Sequence, residues 1–272
     1  MDEQIYHQPE NYDLEHAQAE PDIGFFVGLL EEWRPQRVLE LACGNGRVSF
    51  ALARRLARWG GGLTGLDTSE PMLEAARRKA GESAEAADRQ IHWIAADMRT
   101  WRAQEPFDLI VCPCASMSHL LALEDQIAAW QRAWENLVGG GRFVVAEQMA
   151  NLPILAESQQ NPPRAVVELD SDTVRTDGRV AERLVRYRAT RYFAHEQRAS
   201  VHFLYDKLHD ESAVTERFVS DYECHVFYPR ELQLLFLLAG FRVERLWGNY
   251  QRGRLGEAST QLIVAGTKPQ KE

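Results

Sequence analysis

The chain has no long apolar run, no paired cysteines and no surplus of basic charge, and each shortage removes a class of protein from consideration. None of its hydrophobic stretches approaches the roughly 20 residues that a membrane-spanning helix needs. Its first residues, Met1-Asp2-Glu3-Gln4, lack the basic start and apolar body of a signal peptide. A cytoplasmic protein with no membrane partner is therefore expected. The four cysteines, Cys43, Cys112, Cys114 and Cys224, form no Cys-x-x-Cys pair, which speaks against zinc and disulfide frameworks alike. No other cluster has metal-ligand spacing, so no metal is expected. The formal charge of -9 opposes a nucleic-acid partner, because non-specific affinity for a phosphate backbone comes mostly from Lys and Arg. Arg183, Arg186, Arg188 and Arg191 do crowd one segment, but such a pattern is more often a solvated strand face than a binding groove.

What is present starts with Val38-Leu39-Glu40-Leu41-Ala42-Cys43-Gly44-Asn45-Gly46, an apolar run that ends in a glycine loop, with a helical pattern from Arg47 to Leu56 directly behind it. This order predicts a buried strand, a tight turn and a helix N-terminus, the device by which α/β folds bring bare backbone amides up to a ligand. A dinucleotide fold would need a third glycine three residues after the second, and Ser49 stands there instead. A second buried run, Leu63-Thr64-Gly65-Leu66, ends in Asp67, where a carboxylate can accept both hydroxyls of a ribose. Thr68-Ser69-Glu70-Pro71-Met72 then reads as a capped helix start with proline in the first turn. A third run, Ile91 to Ala95, leads into Ala96-Asp97-Met98 and places another acid at a strand end.

Together with Phe107-Asp108-Leu109-Ile110-Val111-Cys112, Gly139 to Phe143 and Leu238 to Phe241, these segments resemble the class I S-adenosylmethionine (SAM)-dependent methyltransferases. The resemblance covers residues 20 to 150 and the final strands. It implies an α/β, doubly wound, seven-stranded, mostly parallel sheet and SAM as cofactor. Because the sulfonium of SAM is cationic and there is no pyrophosphate to hold, the third glycine is dispensable, while Gly44 and Gly46 still admit the methionine moiety to the backbone. The resemblance further implies a negative field from Glu40, ribose binding by Asp67, packing of Met72 on the adenine, contact of Asp97 with the adenine amino group and a backbone amide from Met98. Thr68 and Cys112 complete the expected cofactor set.

Acceptor chemistry is expected beyond the fourth strand, since ligands of such sheets bind at the carboxyl ends of the strands. The segment Cys112 to Leu120 does not show the Asn/Asp-Pro-Pro-aromatic sequence of nucleic-acid amino methyltransferases. Pro113-Cys114 is similar to the nucleophilic pair of cytosine C5 methyltransferases over two residues alone, so Cys114 is read as packing or pocket lining. Ser116-x-x-His119-Leu120 resembles a small-molecule subset that includes sugar N-methyltransferases, whose histidine faces the acceptor. His119 is accordingly expected to act as general base or to orient the acceptor, with Tyr12 nearby and Ser116 contacting substrate. The bland alternative is that His119 only caps or pairs structurally.

Strand and helix alternate through Glu147, the pattern of a parallel sheet covered on both faces. After Asn151 the alternation stops. A loop with Pro153, Pro162 and Pro163 leads into three segments of period-2 character, separated by Ala194 to Gln197 and Asp206 to Ser212, which predict a small antiparallel sheet. The expected organisation is an arm at 1–24, a SAM-binding core at 25–150, an antiparallel insertion at 151–228 and closing elements at 229–272. Tyr187, Tyr205 and Tyr222 would give the insertion an aromatic wall for the acceptor, and a sheet of this kind can also pair two subunits as a homodimer. The expected function is methyl transfer to a nitrogen or electron-rich aromatic carbon of a small molecule, less readily to oxygen. The alternatives are an RNA or protein methyltransferase and a SAM-binding protein without turnover.

Overall fold

A computed structural model describes residues 9–16, 21–158, 166–176, 181–209 and 213–270. The chain divides into two compact units, the larger made of residues 21–149 and 227–272, the smaller of residues 1–20 and 150–226.

The larger unit is built on a seven-stranded sheet. Its strands are β1 (Arg37–Leu41), β2 (Gly62–Asp67), β3 (His92–Ala95), β4 (Phe107–Cys112) and β5 (Leu137–Gln148), followed after the excursion through the smaller unit by β10 (Arg242–Trp247) and β11 (Gln261–Thr267). The order is β10-β11-β5-β4-β1-β2-β3. All pairs among β1 to β5 are parallel, whereas β11 runs antiparallel to both β5 and β10. This is the doubly wound arrangement that the alternating pattern predicts. The order turns back between β1 and β4, where the crossovers diverge to opposite faces and leave a crevice at the strand tips.

The helices of this unit are α2 (Pro21–Trp33), α3 (Arg47–Leu56), α4 (Glu70–Glu82), α5 (Ala86–Arg89), α6 (Leu123–Glu135) and α8 (Pro229–Leu238). Helix α3 buries Val48, Ser49, Leu52, Ala53 and Leu56 on one stripe and keeps Arg54 and Arg55 for its last turn, where cations suit the helix dipole. Two apolar layers enclose the sheet. One, against α2 and α3, centres on Phe26, Leu29, Leu52 and Val144. The other, against α6 and α8, centres on Trp130, Phe143, Phe236 and Phe241, with Trp130 and Phe236 packed edge to face at 5.9 Å between centroids. With both faces covered, β1 and β4 carry near-continuous apolar residues, as parallel strands must.

The smaller unit contains α1 (Pro9–Glu15), α7 (Leu152–Ser158) and four antiparallel strands in sequential order: β6 (Val166–Thr176), β7 (Ala181–Phe193), β8 (Arg198–His209) and β9 (Ala213–His225). The sequence pattern predicts three. The missed strand, β6, carries Glu168, Asp170, Asp172 and Arg175 among its apolar residues, and polar positions on a strand at the sheet edge hide the alternation. Helix α7 begins with Leu152 and Pro153 inside the stretch read as loop, while Pro162 and Pro163 lie outside the described residues. The turn at Ala194 to Gln197 stands where expected, but β8 runs on to His209, so the expected turn starting at Asp206 is strand to that point; residues 210–212 are outside the described set. The core of this unit is Leu155, Leu184, Tyr192, Ala199, Val201, Phe203 and Tyr205. Among the described residues no helix is long and apolar enough to cross a membrane.

Candidate active site

The tips of β1, β2, β4 and β5 bring together most of the residues that the sequence singles out in the larger unit. Beyond Leu41 the backbone enters the left-handed region at Ala42 (φ 54°), Gly44 (φ 53°) and Gly46 (φ 88°) before α3 begins. A side chain at Gly46 would lie 2.8 Å from the Phe50 ring and 2.9 Å from that of Trp93, so the loop demands glycine there for space as well as for conformation. Asp67, at the end of β2, ties this loop down. Its Oδ2 accepts the Gly44 amide at 2.7 Å and its Oδ1 accepts the Ser69 amide at 2.8 Å, which joins the glycine loop to the head of α4. Burial raises the pKa of Asp67 above the ordinary carboxylate value. The amides, and the nearby His119 when it carries a proton, oppose that rise.

Glu40 is buried on β1, and the Ser49 hydroxyl donates to its Oε2 at 2.5 Å. Ser49 thus has a task at the position where a dinucleotide fold would carry glycine. Desolvation pushes the Glu40 carboxyl up to about 8, partly offset by the Ser49 bond and by Arg47. Met72 is buried beneath the loop, its methyl group 3.3 Å from where a Gly44 side chain would begin. Thr68 is exposed at the strand tip, and Met98 packs partly buried against the main core.

Two residues of the expected cofactor set are placed differently. Both oxygens of Asp97 are held by the Arg99 guanidinium, at 2.5 to 3.0 Å, and one also takes the Arg99 amide at 2.8 Å. The Arg99 bonds, ahead of a smaller burial effect, lower the Asp97 pKa, so this carboxylate has its hydrogen-bonding capacity filled by its own neighbour. Cys112 is sealed in the apolar core, with no exposed side-chain surface, and has only its backbone to offer a ligand.

After Cys112 the chain takes Cys114 (φ 61°) and Ala115 (φ 56°) through the left-handed region without glycine, then makes a 3-10 turn over Ser116–His119. Such angles are held only where the surroundings over-determine them. Cys114 is exposed and accepts a bond at 2.8 Å from Arg47, whose guanidinium also pairs at 2.5 Å with Asp22 near the start of α2. Burial pushes the Asp22 pKa up, but Arg47 outweighs it and the net shift is downward. The Ser116 hydroxyl donates to the Pro113 carbonyl at 2.9 Å, so it serves its own turn. His119 is half-buried at the end of that turn. Glu147, buried at the end of β5, accepts the Met117 amide at 3.2 Å.

Asp22, Arg47 and Glu147 escape the sequence reading. The available signals were an acid opening an otherwise apolar helix, an arginine at the first helical position after the glycine loop and an acid closing a buried strand. Tyr12, Tyr187, Tyr205 and Tyr222 belong to the smaller unit. There Tyr12 stacks on His16 at 4.1 Å between ring centroids, and Tyr205 is fully buried and stacks on Phe218 at 4.5 Å. The strand register pairs Tyr205 with Arg186 and Tyr222 with Val201, whereas Tyr187 pairs with Leu204. Since cross-strand partners share a face and neighbours along a strand do not, Tyr187 lies on the face opposite Tyr205 and Tyr222. The three cannot form the single aromatic wall that the sequence suggests.

Residues 38–141 match the family model described as a methyltransferase domain. Over that stretch the chain is a methyltransferase domain. Trans-aconitate 2-methyltransferase of Streptomyces avermitilis is 37% identical to it over 109 residues, a match that spans 39% of this chain and 37% of that relative. The chain therefore spans well under half the length of this curated relative. Whole-length likeness comes from solved structures. The CcbJ methyltransferase from Streptomyces caelestis superposes with a TM-score of 0.77 at 22% identity, covering 99% of this chain and 100% of its own. SAM-bound CalS10, an amino pentose methyltransferase from Micromonospora echinaspora involved in calicheamicin biosynthesis, superposes with a TM-score of 0.69 at 17% identity, covering 96% and 97%. At these identities the likeness establishes the fold, including the presence of the smaller unit.

Proposed function

We propose that this methyltransferase domain binds SAM across the tips of β1 and β2 and methylates a nitrogen of a small-molecule acceptor. The observation that carries the reading is Asp67. Its carboxylate already organises the glycine loop through the Gly44 amide and the α4 entrance through the Ser69 amide. The Thr68 amide acts on the carboxylate as well, and of its roughly four acceptor sites this leaves room for a ribose hydroxyl. The donor set also suits a cationic nucleoside: Asp67 gives negative charge, Glu40 gives it once a cation beside it draws off its proton, Gly44 and Gly46 leave backbone bare, and the partly buried Met98 offers apolar surface at the strand tip. Asp97, taken up by Arg99, is not part of this set.

When bound, SAM supplies a methyl group on a cationic sulfonium. The protein's task is then to align an acceptor nucleophile and to take its proton, and alignment alone can account for much of the acceleration. His119 stands on the turn after β4, within electrostatic reach of Asp67, and a histidine ring nitrogen is a suitable proton acceptor in general base catalysis. It takes the proton from the acceptor nitrogen at one of its ring nitrogens. A small-molecule amine is supported by the likeness of the post-β4 segment to small-molecule methyltransferases and by the fold shared with an amino pentose methyltransferase.

Isothermal titration with SAM tests the cofactor half. Asp67→Ala is expected to weaken binding about 10- to 100-fold, the value of one charged hydrogen bond to a ribose hydroxyl. Unchanged affinity in that variant, or no affinity in the unmodified protein, would end the proposal. Turnover of radiolabelled SAM across a panel of small amines, phenols and electron-rich aromatics tests the acceptor half, and preference for phenols would refute nitrogen.

A further inference from the structure

Glu147 and Gln126 are buried polar side chains that neither cofactor binding nor proton transfer uses, yet both end on the turn that carries His119. Glu147 is 2% exposed and Gln126 1% exposed. The Glu147 carboxyl accepts the Met117 amide at 3.2 Å and also the amide of Ser118. The Gln126 carboxamide, on α6, donates to the Leu120 carbonyl at 2.8 Å. The backbone is therefore held at the two residues before His119 and at the one after it. A further bond, from the Ala115 amide to the Ala146 carbonyl at 2.9 Å, ties the start of the turn to β5.

A turn of this kind needs outside support. It contains four residues, its 3-10 hydrogen bonds have poor geometry, and it follows two non-glycine residues in the left-handed region. Supporting it with buried polar groups is costly, because each must be stripped of water. Gln126 illustrates the cost. Its Oε1 has no hydrogen-bond partner among the described residues, so the side chain is buried for the sake of its one bond to Leu120. An apolar residue at either position would satisfy the core with no such penalty.

We infer that Glu147 and Gln126 are positioning residues that fix the His119 imidazole against the acceptor from β5 and α6, and that their loss costs turnover while leaving SAM affinity intact. The inference rests on the reading of His119 as the acceptor-side base. A side chain displaced by about 1 Å can cost up to 100-fold in rate, which sets the scale of the expected effect.

The test compares Glu147→Leu, Glu147→Gln and Gln126→Met with His119→Ala and with the double variant H119A/E147L. Each of E147L and Q126M is expected to lower kcat by about tenfold or more, with acceptor KM and SAM affinity within about twofold. E147Q, whose side-chain oxygen can still accept the Met117 amide, is expected to restore most of the turnover lost in E147L. Hydrogen exchange across residues 113–122 should quicken in E147L and Q126M and stay slow in E147Q. In the H119A background E147L should cost little more, because both changes disable one element. Full kcat in E147L, an equal loss in the H119A background, or exchange that stays slow in E147L would each overturn the inference. A fully active H119A would overturn the base reading and the kinetic half of the inference together. The exchange of E147L would then still decide whether Glu147 holds the turn.

Discussion

Three buried carboxylates at the strand tips of the larger unit and two arginine-paired carboxylates of the smaller one are shifted in opposite directions. Glu40, Asp67 and Glu147 are all raised, and in each case burial is the leading cause. Asp172 and Glu196 of the smaller unit are lowered, chiefly by hydrogen bonds from Arg183 and Arg198 respectively. The first group sits where desolvation works against the charge and where backbone amides or a hydroxyl are the main hydrogen-bond partners. The second sits in water beside arginine. Acids held in a costly state are candidates for chemistry, whereas acids paired on an exposed sheet set register and solubility. The two units thus divide the labour: one stores unfavourable electrostatics at its strand tips, and the other spreads compensated charge over a packed aromatic core.

The sharpest way to break this comparison is His119→Ala, which removes the proposed proton acceptor from the tip cluster. Turnover is expected to fall by about 10²- to 10⁴-fold with SAM affinity held, measured by steady-state kinetics and titration calorimetry. Unchanged turnover would reduce the histidine to a structural role.

Glu40 gives a smaller and pH-dependent effect. Its folded-state pKa of about 8 lies above the ordinary value of 4.5, so between these limits the folded chain keeps a proton that the unfolded chain has released. Stability from this group is therefore full below about pH 4.5 and is lost as pH climbs through 8. Glu40→Gln should flatten that decline by several degrees of Tm between pH 5 and 8, since a carboxyl shifted from 4.5 to about 8 loses about 3 kcal/mol across that range. Because a cationic ligand favours the carboxylate, SAM affinity of the unmodified protein should rise across the same range and that of the variant should not. Parallel curves for the two proteins would remove Glu40 from the argument.

The smallest effect is expected in the smaller unit. Arg183 and Asp172 pair at 2.5 Å, with side chains 34% and 35% exposed, and solvent screens such a pair. Asp172→Asn should change unfolding free energy by less than about 1 kcal/mol in denaturant titrations and leave SAM binding untouched. A larger loss would mean that this sheet, too, depends on its charges.

Much of the core was legible because parallel strands buried on both faces have to be written as apolar runs, and loops at their tips have to be written with glycine or acid. Val38 to Gly46, Leu63 to Asp67 and Phe107 to Cys112 declare their own geometry in this way. Less was legible where contacts come from far along the chain. Nothing near Asp97 distinguishes an acid free to meet a ligand from one gripped by Arg99, and nothing near Tyr187 reveals that a one-residue offset puts it across the sheet from Tyr205. Strand β6 escaped notice because a strand with polar positions at the sheet edge need not alternate.

By itself the sequence determined the order of elements, the glycine turn, the acids at the ends of β1 and β2 and the histidine after β4, since these follow from local periodicity and backbone conformation. The tertiary structure alone decided which of those groups are burdened with charge they cannot easily carry. Burial and hydrogen-bond partnership are properties of distant residues brought together: Ser49 against Glu40, Arg99 against Asp97, and the amides of Met117 and Ser118 against Glu147.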